Sequence, residues 1–281
     1  MFAFISLLFD LSHADVDLVT REFRHLLMYI DEHFDDNHTS LEVEFMRQMF
    51  TVGPYIPPPD PQPVIEVLKA HGTPRRVRRG DLLKAAEESG RLFLVEEGLC
   101  CYLSTCTPHP YIPFLMTPGC TMGDITTLGH RNYAIEWRAL SDSTIIVVPP
   151  RVLEDVLADP TLRALKIQHL ISKEESSLEG MSANFTLEPA IRLRVLFQQL
   201  IEATGTFTEG WMPIPYRLTA ECLGMVVNLT RANVSRLISE WGHQELVHRM
   251  GQDLEVHVAL FNNLPDWQSK SWREQAPTRF S

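Results

Sequence analysis

The sequence predicts an α+β chain: helices at the N-terminus, a β-roll of jelly-roll type, one long helix, and a winged helix-turn-helix at the C-terminal end. Three observations carry that prediction. Between residues 63 and 150, short apolar runs are punctuated by Gly, Pro and Asp, the texture of strands joined by tight turns. Ile167, Ile171, Glu174, Leu178, Met181 and Phe185 then advance by alternating steps of four and three, a coiled-coil seam interrupted by one charge. Finally, two short apolar-faced segments between Leu218 and Ile238 meet at Asn228 and are followed by a hairpin pattern.

In chain order, Val19, Phe23, Leu26, Leu27, Ile30 and Phe34 recur at helical spacing. Leu41, Phe45, Met46 and Met49 do so again after Asn37-His38-Thr39, so residues 1–53 read as a helical extension. It is acidic: residues 1–60 hold three Arg and no Lys against eleven Asp and Glu, a balance of −8. The proline run at 54–63 cannot continue a helix and is expected to be an extended, semi-rigid linker. The β-roll is assigned to 64–150, with strands at Arg91–Val95, Leu99–Leu103, Tyr111–Met116, Ile135–Leu140 and Thr144–Val148.

Residues 151–187 follow as a dimerisation helix, running from about Thr161 to Phe185, with a hinge expected from Ser182-Ala183-Asn184 to Glu188. Pro189 can open the next helix at its first turn, with Leu193, Leu196, Phe197 and Leu200 as its apolar face. The winged helix-turn-helix is assigned to 188–262; in it Leu246–Met250 and Leu254–Val258 flank Gly251-Gln252-Asp253 as a wing hairpin. The tail at 263–281 is polar and expected to be loose.

Composition narrows the class. At 281 residues with 44% hydrophobic content, the chain can form one large domain or two to three small ones. Met1 to Phe9 is apolar but far shorter than the ~20 residues of a membrane span. It also lacks the basic start and small-residue cleavage site of a secretory signal. Five cysteines, an odd number, do not suggest a disulfide framework, and a reducing cytoplasmic location is expected. The formal net charge of −11 argues against nucleic acid until its distribution is considered. Residues 217–249 carry four Arg against three Glu, so this segment is near neutral and should bind nonspecific DNA weakly.

Within that segment Thr219 can cap a first helix, whose inward residues are Leu223, Val226 and Val227. Asn228 sits where the chain must reverse, and Asn tolerates the left-handed conformation. Thr230 can cap a second helix, with Val234, Leu237 and Ile238 facing in and Arg231, Asn233, Ser235 and Arg236 left outside. A helix presenting such groups can enter the major groove of DNA. An ordinary helical hairpin is the alternative for this segment alone.

A β-roll, a long helix and a winged helix-turn-helix in that order resemble the bacterial transcription regulators of the cyclic-AMP receptor and fumarate–nitrate regulator (CRP/FNR) family. The likeness covers residues 63–262 and rests on Leu218–Val247 with its wing, and on Pro118-Gly119-Cys120-Thr121-Met122-Gly123-Asp124. The latter is similar to the turn leading into that family's effector pocket. Gly80-Asp81 and Gly98 also fall where a β-roll needs tight turns. The resemblance implies that Arg231, Asn233, Ser235 and Arg236 face base edges or nearby phosphates, and that Thr219 and Thr230 hold phosphates at helix starts. Ala232 stands where many relatives have an acidic residue, so their target sequence is not assumed here. The partners implied are double-stranded DNA, a second copy of the chain and RNA polymerase, with no membrane.

For an effector, Gly123, Asp124, Arg131 and Tyr133 are the pocket candidates. The family's cyclic-nucleotide binders use Glu for the ribose and Arg-Ser for the phosphate; here Asp124 and Asn132-Tyr133 stand in those places. Arg131 is one position out, which on a strand points it to the opposite face. Cyclic AMP and cyclic GMP are therefore not expected, and the effector is left unassigned. Cys100 and Cys101 are strand neighbours pointing oppositely, unlike iron–sulfur ligands. Buried cysteines serving as small hydrophobes are expected, with Cys106 as a candidate thiol switch. His109 and His130 are candidate ligands of a metal or haem, but no resident cofactor or metal is expected.

Arg75-Arg76-Val77-Arg78-Arg79 reads as a solvated strand edge, or as a docking site for the acidic N-terminal helices. The expected function is that of a homodimeric transcription regulator on a palindromic operator, with no catalytic residues. Two alternatives stay open: an interaction module whose helix-turn-helix no longer reads DNA, and a cupin-type metal enzyme. The second needs a His-x-His, and the β region contains none.

Overall fold

The computed structural model describes residues 52–84, 91–104, 110–124, 127, 135–205, 210–251 and 253–264. The expected N-terminal helices, residues 265–281 of the tail, and Cys106, His109, His130, Arg131, Asn132 and Tyr133 lie outside the described residues.

A short helix, α1 (Gln62–His71), leads into β1 (Thr73–Val77), β2 (Leu82–Lys84), β3 (Leu92–Glu97), β4 (Cys100–Ser104), β5 (Leu115–Met116), β6 (Thr121–Met122), β7 (Ile135–Ala139) and β8 (Ser143–Val148). Two antiparallel four-stranded sheets result, ordered β1-β8-β3-β6 and β2-β7-β4-β5. They enclose a core filled by large side chains, among them Phe93, Phe114, Met116, Met122 and Trp137. Alternation along β4 turns Cys100 into this core and Cys101 to the opposite side, where it joins a second cluster. The basic run begins on β1, which is a sheet edge.

The expected strand Tyr111–Met116 shortens to Leu115–Met116, with Tyr111 making only an isolated bridge to Ser104. Pro110 and Pro113 lack the N–H that a ladder needs.

α1 and α2 (Pro150–Ala158) pack on the outside of the first sheet through Val64, Leu68, Leu92, Ile146, Val152 and Val156. The long helix α3 spans Pro160–Thr186, its start capped by Asp159, which accepts from Thr161 N–H and Leu162 N–H. It runs unbroken through Ser182-Ala183-Asn184, and the chain leaves helical geometry at Leu187 (φ −91°, ψ 149°), within the span from Ser182 to Glu188 where the hinge was expected. The reason is local bonding: Asn184 accepts from the Tyr55 hydroxyl (3.0 Å) and donates to the Val226 carbonyl (3.0 Å).

The proline run, expected as an extended linker, packs against the roll and α3. Tyr55 and Ile56 are buried, Asp60 is 3% exposed, and the Tyr55 ring lies against α3 at Gly180, where an added Cβ would come within 3.1 Å of it. The chain bends at 54–56, where Tyr55 is left-handed (φ 69°), and its polar groups find partners in the roll: Leu115 N–H donates to Tyr55 C=O and Asp60 N–H to Gly119 C=O.

The C-terminal part comprises α4 (Pro189–Glu202), β9 (Trp211–Pro213), α5 (Ala220–Val227), α6 (Arg231–His243), and a sheet ordered β10-β11-β9 that includes β10 (Val247–Met250) and β11 (Asp253–His257). Its core, built on Leu193, Phe197, Leu223, Val234 and Trp241, continues onto Cys101, Leu103 and Ile112 of the roll. Among the described residues, no helix is long and apolar enough to cross a membrane.

Candidate nucleic-acid interface

The two-helix segment takes its shape from local chemistry. Thr219 caps α5 by accepting from Cys222 N–H (3.1 Å), and Thr230 caps α6 by accepting from Asn233 N–H (3.2 Å). Asn228 between them is left-handed (φ 51°, ψ 52°). Gly224 permits the turn to close: a Cβ there would meet the Leu229 carbonyl at 2.3 Å. Both caps and the left-handed Asn are those indicated by the sequence.

Val234, Leu237, Ile238 and Trp241 bury one face of α6. Arg231, Asn233 and Arg236 project from the rest of the helix; Arg231 and Asn233 are exposed, and Arg236 is held along the helix by Glu240, four residues on, at 3.2 Å. Thr219 and Thr230 stand at the two helix starts. Beside this face stands the hairpin β10–β11, registered Val247 to Val256 and Met250 to Asp253. Its third strand, β9, had no clear sequence signal: Trp211 on it stacks on His248 with ring centres 3.6 Å apart. A bidentate pair between Arg217 and Asp253 (2.6 and 2.9 Å) bridges the approach to α5 and the wing.

One side chain fastens this unit to the long helix. Arg192 of α4 donates to the carbonyls of Asn184 (2.9 Å) and Val227 (3.1 Å), joining the last turns of α3 and α5. Ile112 N–H of the roll donates to the Met225 carbonyl at 3.1 Å.

The effector candidates fare differently. Gly123 turns with φ +92°, and Asp124 beside it is buried, but Asp124 is already engaged. Lys166 Nζ lies 2.7 Å from Asp124 Oδ1, and Lys173 Nζ donates to Asp124 Oδ2 at 2.5 Å. Lys166 also donates to Asp60 Oδ1 (2.6 Å) and to the Thr121 hydroxyl (2.8 Å), which in turn donates to Asp60 Oδ2 (2.8 Å). His169 completes the group, with Nε2 facing the Pro58 carbonyl at 3.0 Å. Two ammonium groups and two carboxylates thus neutralise one another within a few ångströms. Burial opposes ionisation of both carboxyls. The Lys166 charge, with His169 for Asp60 and Lys173 for Asp124, outweighs it and holds both well below the usual carboxylate range. Burial likewise opposes the Lys166 charge, and Asp124 and Asp60 outweigh it and raise its pKa.

Sequence reasoning missed Asp60, Lys166, His169 and Lys173. Lys166, His169, Lys173 and Ser176 do form a stripe at steps of three and four, the one signal that could have found them.

The four described cysteines are free and buried. Burial pushes the Cys100 and Cys222 thiols up to about 12 and that of Cys120 up to about 11, so they behave as small hydrophobes rather than nucleophiles. Among the described residues, no three His, Cys, Asp or Glu side chains are placed to hold a metal ion.

No protein-family model and no curated protein matches the chain. Solved structures do. FixK2 from Bradyrhizobium japonicum is 17% identical with a TM-score of 0.57, over 68% of this chain and 96% of that one. A transcriptional regulator of the CRP family from Thermus thermophilus is 16% identical with a TM-score of 0.56, over 66% and 94%. A mutant of CooA from Carboxydothermus hydrogenoformans is 15% identical with a TM-score of 0.53, over 79% and 92%. The likeness is one of fold: the chain is built like the CRP/FNR regulators, with the α+β architecture that the sequence predicted.

Proposed function

We propose that the chain is a sequence-specific, DNA-binding transcription regulator that acts as a homodimer on a palindromic site and is not governed by a cyclic nucleotide. The observation that carries this reading is the outer face of α6, where Arg231, Asn233 and Arg236 project beside a wing while the opposite face is fixed in a core. Arg can pair bidentately with guanine and Asn with adenine in the major groove, and Thr219 and Thr230 sit where helix starts meet phosphates. Ser235, on the same helix, is half-buried. Dimerisation is supported by the outer face of α3, where Ile171, Met181 and Phe185 are 47%, 46% and 82% exposed. A second α3 would cover this stripe and set two copies of α6 about one DNA turn, ~34 Å, apart. Effector independence toward cyclic nucleotides is supported by the engagement of Asp124 and by the large side chains packed between the two sheets among the described residues.

The test is selection from random duplexes with the full-length protein. An inverted repeat with half-site centres about 10 base pairs apart is expected to be enriched, with no change on adding cyclic AMP. Arg231→Ala and Arg236→Ala should each weaken binding to that site by about 1–3 kcal/mol, with the circular dichroism spectrum unchanged. Failure to enrich any repeat, or undiminished affinity in both variants, overturns the reading.

A further inference from the structure

Between the outer face of the sheet β2-β7-β4-β5 and helix α5 lies a cleft of about 350 Å³. Its wall on the roll side is apolar, with Leu103 and Ile112, and Met225 of α5 faces it from the other side. Four charged residues also line it: Arg79, Arg138, Glu136 and Glu221. Arg138 is the informative one. Its Nε is buried yet donates to nothing, and it forms no ion pair among the described residues. A buried guanidinium N–H without an acceptor is unfavourable, and an anion placed in the cleft would remove that penalty.

We propose that this cleft binds a small amphipathic carboxylate, its oxygens accepting from Arg138 and its apolar body lying on Leu103, Ile112 and Met225. The planar guanidinium fork matches a carboxylate. The two glutamates lining the cleft disfavour a dianionic phosphate and leave room for a single negative charge. Its size lies at the small end of ligand sites, suited to a molecule with one ring or a short branched chain rather than a nucleotide. Such a ligand touches β7 and α5 together, so it adjusts how the two-helix unit sits on the roll. The site stands apart from the buried cluster around Asp124, and its occupancy does not depend on DNA being read.

The test is calorimetry on the full-length protein without DNA, using 3-phenylpropionate as probe, with 3-phenylpropanol and inorganic phosphate as controls. Saturable binding of 3-phenylpropionate below about 1 mM is expected, with both controls at least about tenfold weaker. Arg138→Gln should weaken it by about tenfold or more, whereas Glu136→Gln, which removes a like charge, should tighten it severalfold. Both positions are half-buried, and thermal melts of the two variants serve to check that they fold. No saturable binding, equal binding of the alcohol or of phosphate, or binding undiminished in Arg138→Gln each overturns the proposal. So does a loss of DNA affinity in Arg138→Gln without any binding of the probe, which would give the guanidinium to the DNA backbone instead. Because calorimetry involves no DNA, its failure is separate from failure of the duplex selection.

Discussion

The two faces of the long helix are the reverse of what a helix on a globular surface shows. The face turned toward the rest of the chain carries Lys166, His169, Lys173, Ser176 and Glu179; the face turned away carries Ile167, Ile171, Leu178, Met181 and Phe185. The inner face is satisfied by opposite charge and hydrogen bonds: Lys166 and Lys173 meet Asp60 and Asp124, and the Ser176 hydroxyl donates to the Gly53 carbonyl at 2.8 Å. Such buried pairs contribute little net stability compared with apolar packing, but they tolerate only one arrangement. The outer face is the opposite, adhesive and undemanding. In the proposed dimer, one helix therefore separates the setting of position within a chain from attachment between chains.

The sharpest way to break that comparison is on the inner face. Lys166→Met leaves Asp60 without its ammonium partner and Asp124 with only Lys173. Destabilisation of about 3–5 kcal/mol is expected, read as a fall in the denaturant midpoint. A change below about 1 kcal/mol would mean that the cluster is not what holds α3 in place. On the outer face, Ile171→Asp should leave each chain folded and shift sedimentation from dimer to monomer, an affinity loss of about 100-fold or more. A variant that unfolds instead would place Ile171 in the core of a single chain.

The smallest expected effect is that of acid. Asp60 and Asp124 are held below their unfolded values near 3.9, so their contribution is complete above about pH 4 and is lost as pH falls through their lower folded values. Lys166 is held above its usual range, so its contribution is lost only as pH rises past about 10.4. The contribution of the Asp60, Asp124 and Lys166 charges should be level from about pH 7 to 9, above the range in which Glu174, raised chiefly by burial and also by the Asp124 charge, takes up a proton. Comparison of melts of the native chain with Asp124→Asn checks this, and a difference that varies between about pH 7 and 9 counts against paired charges.

What was legible beforehand follows from how far each signal travels along the chain. Thr219, Asn228 and Thr230 act on nearby backbone groups, so the two-helix unit was readable residue by residue. The outer seam of α3 was readable because its period lies within one helix. The inner face was not, since its partners Asp60 and Thr121 are 106 and 45 residues from Lys166. The proline run misled for a related reason. Its composition excludes a helix, but the bend at 54–56 and the burial of the segment depend on neighbours such as Leu115 and Gly119, which accommodate Tyr55 and Asp60. Arg138 could not be singled out either, because an unmet donor is visible only when everything around it has been placed.

The knot at Asn184 has its own consequence. Through it and Arg192, the end of α3, the end of α5 and the Tyr55 ring share one small set of bonds. Moving the C-terminal unit away from the end of α3 means giving up these hydrogen bonds, each worth about 0.5–1.5 kcal/mol, so its seat is fixed by a few polar groups rather than by apolar area alone.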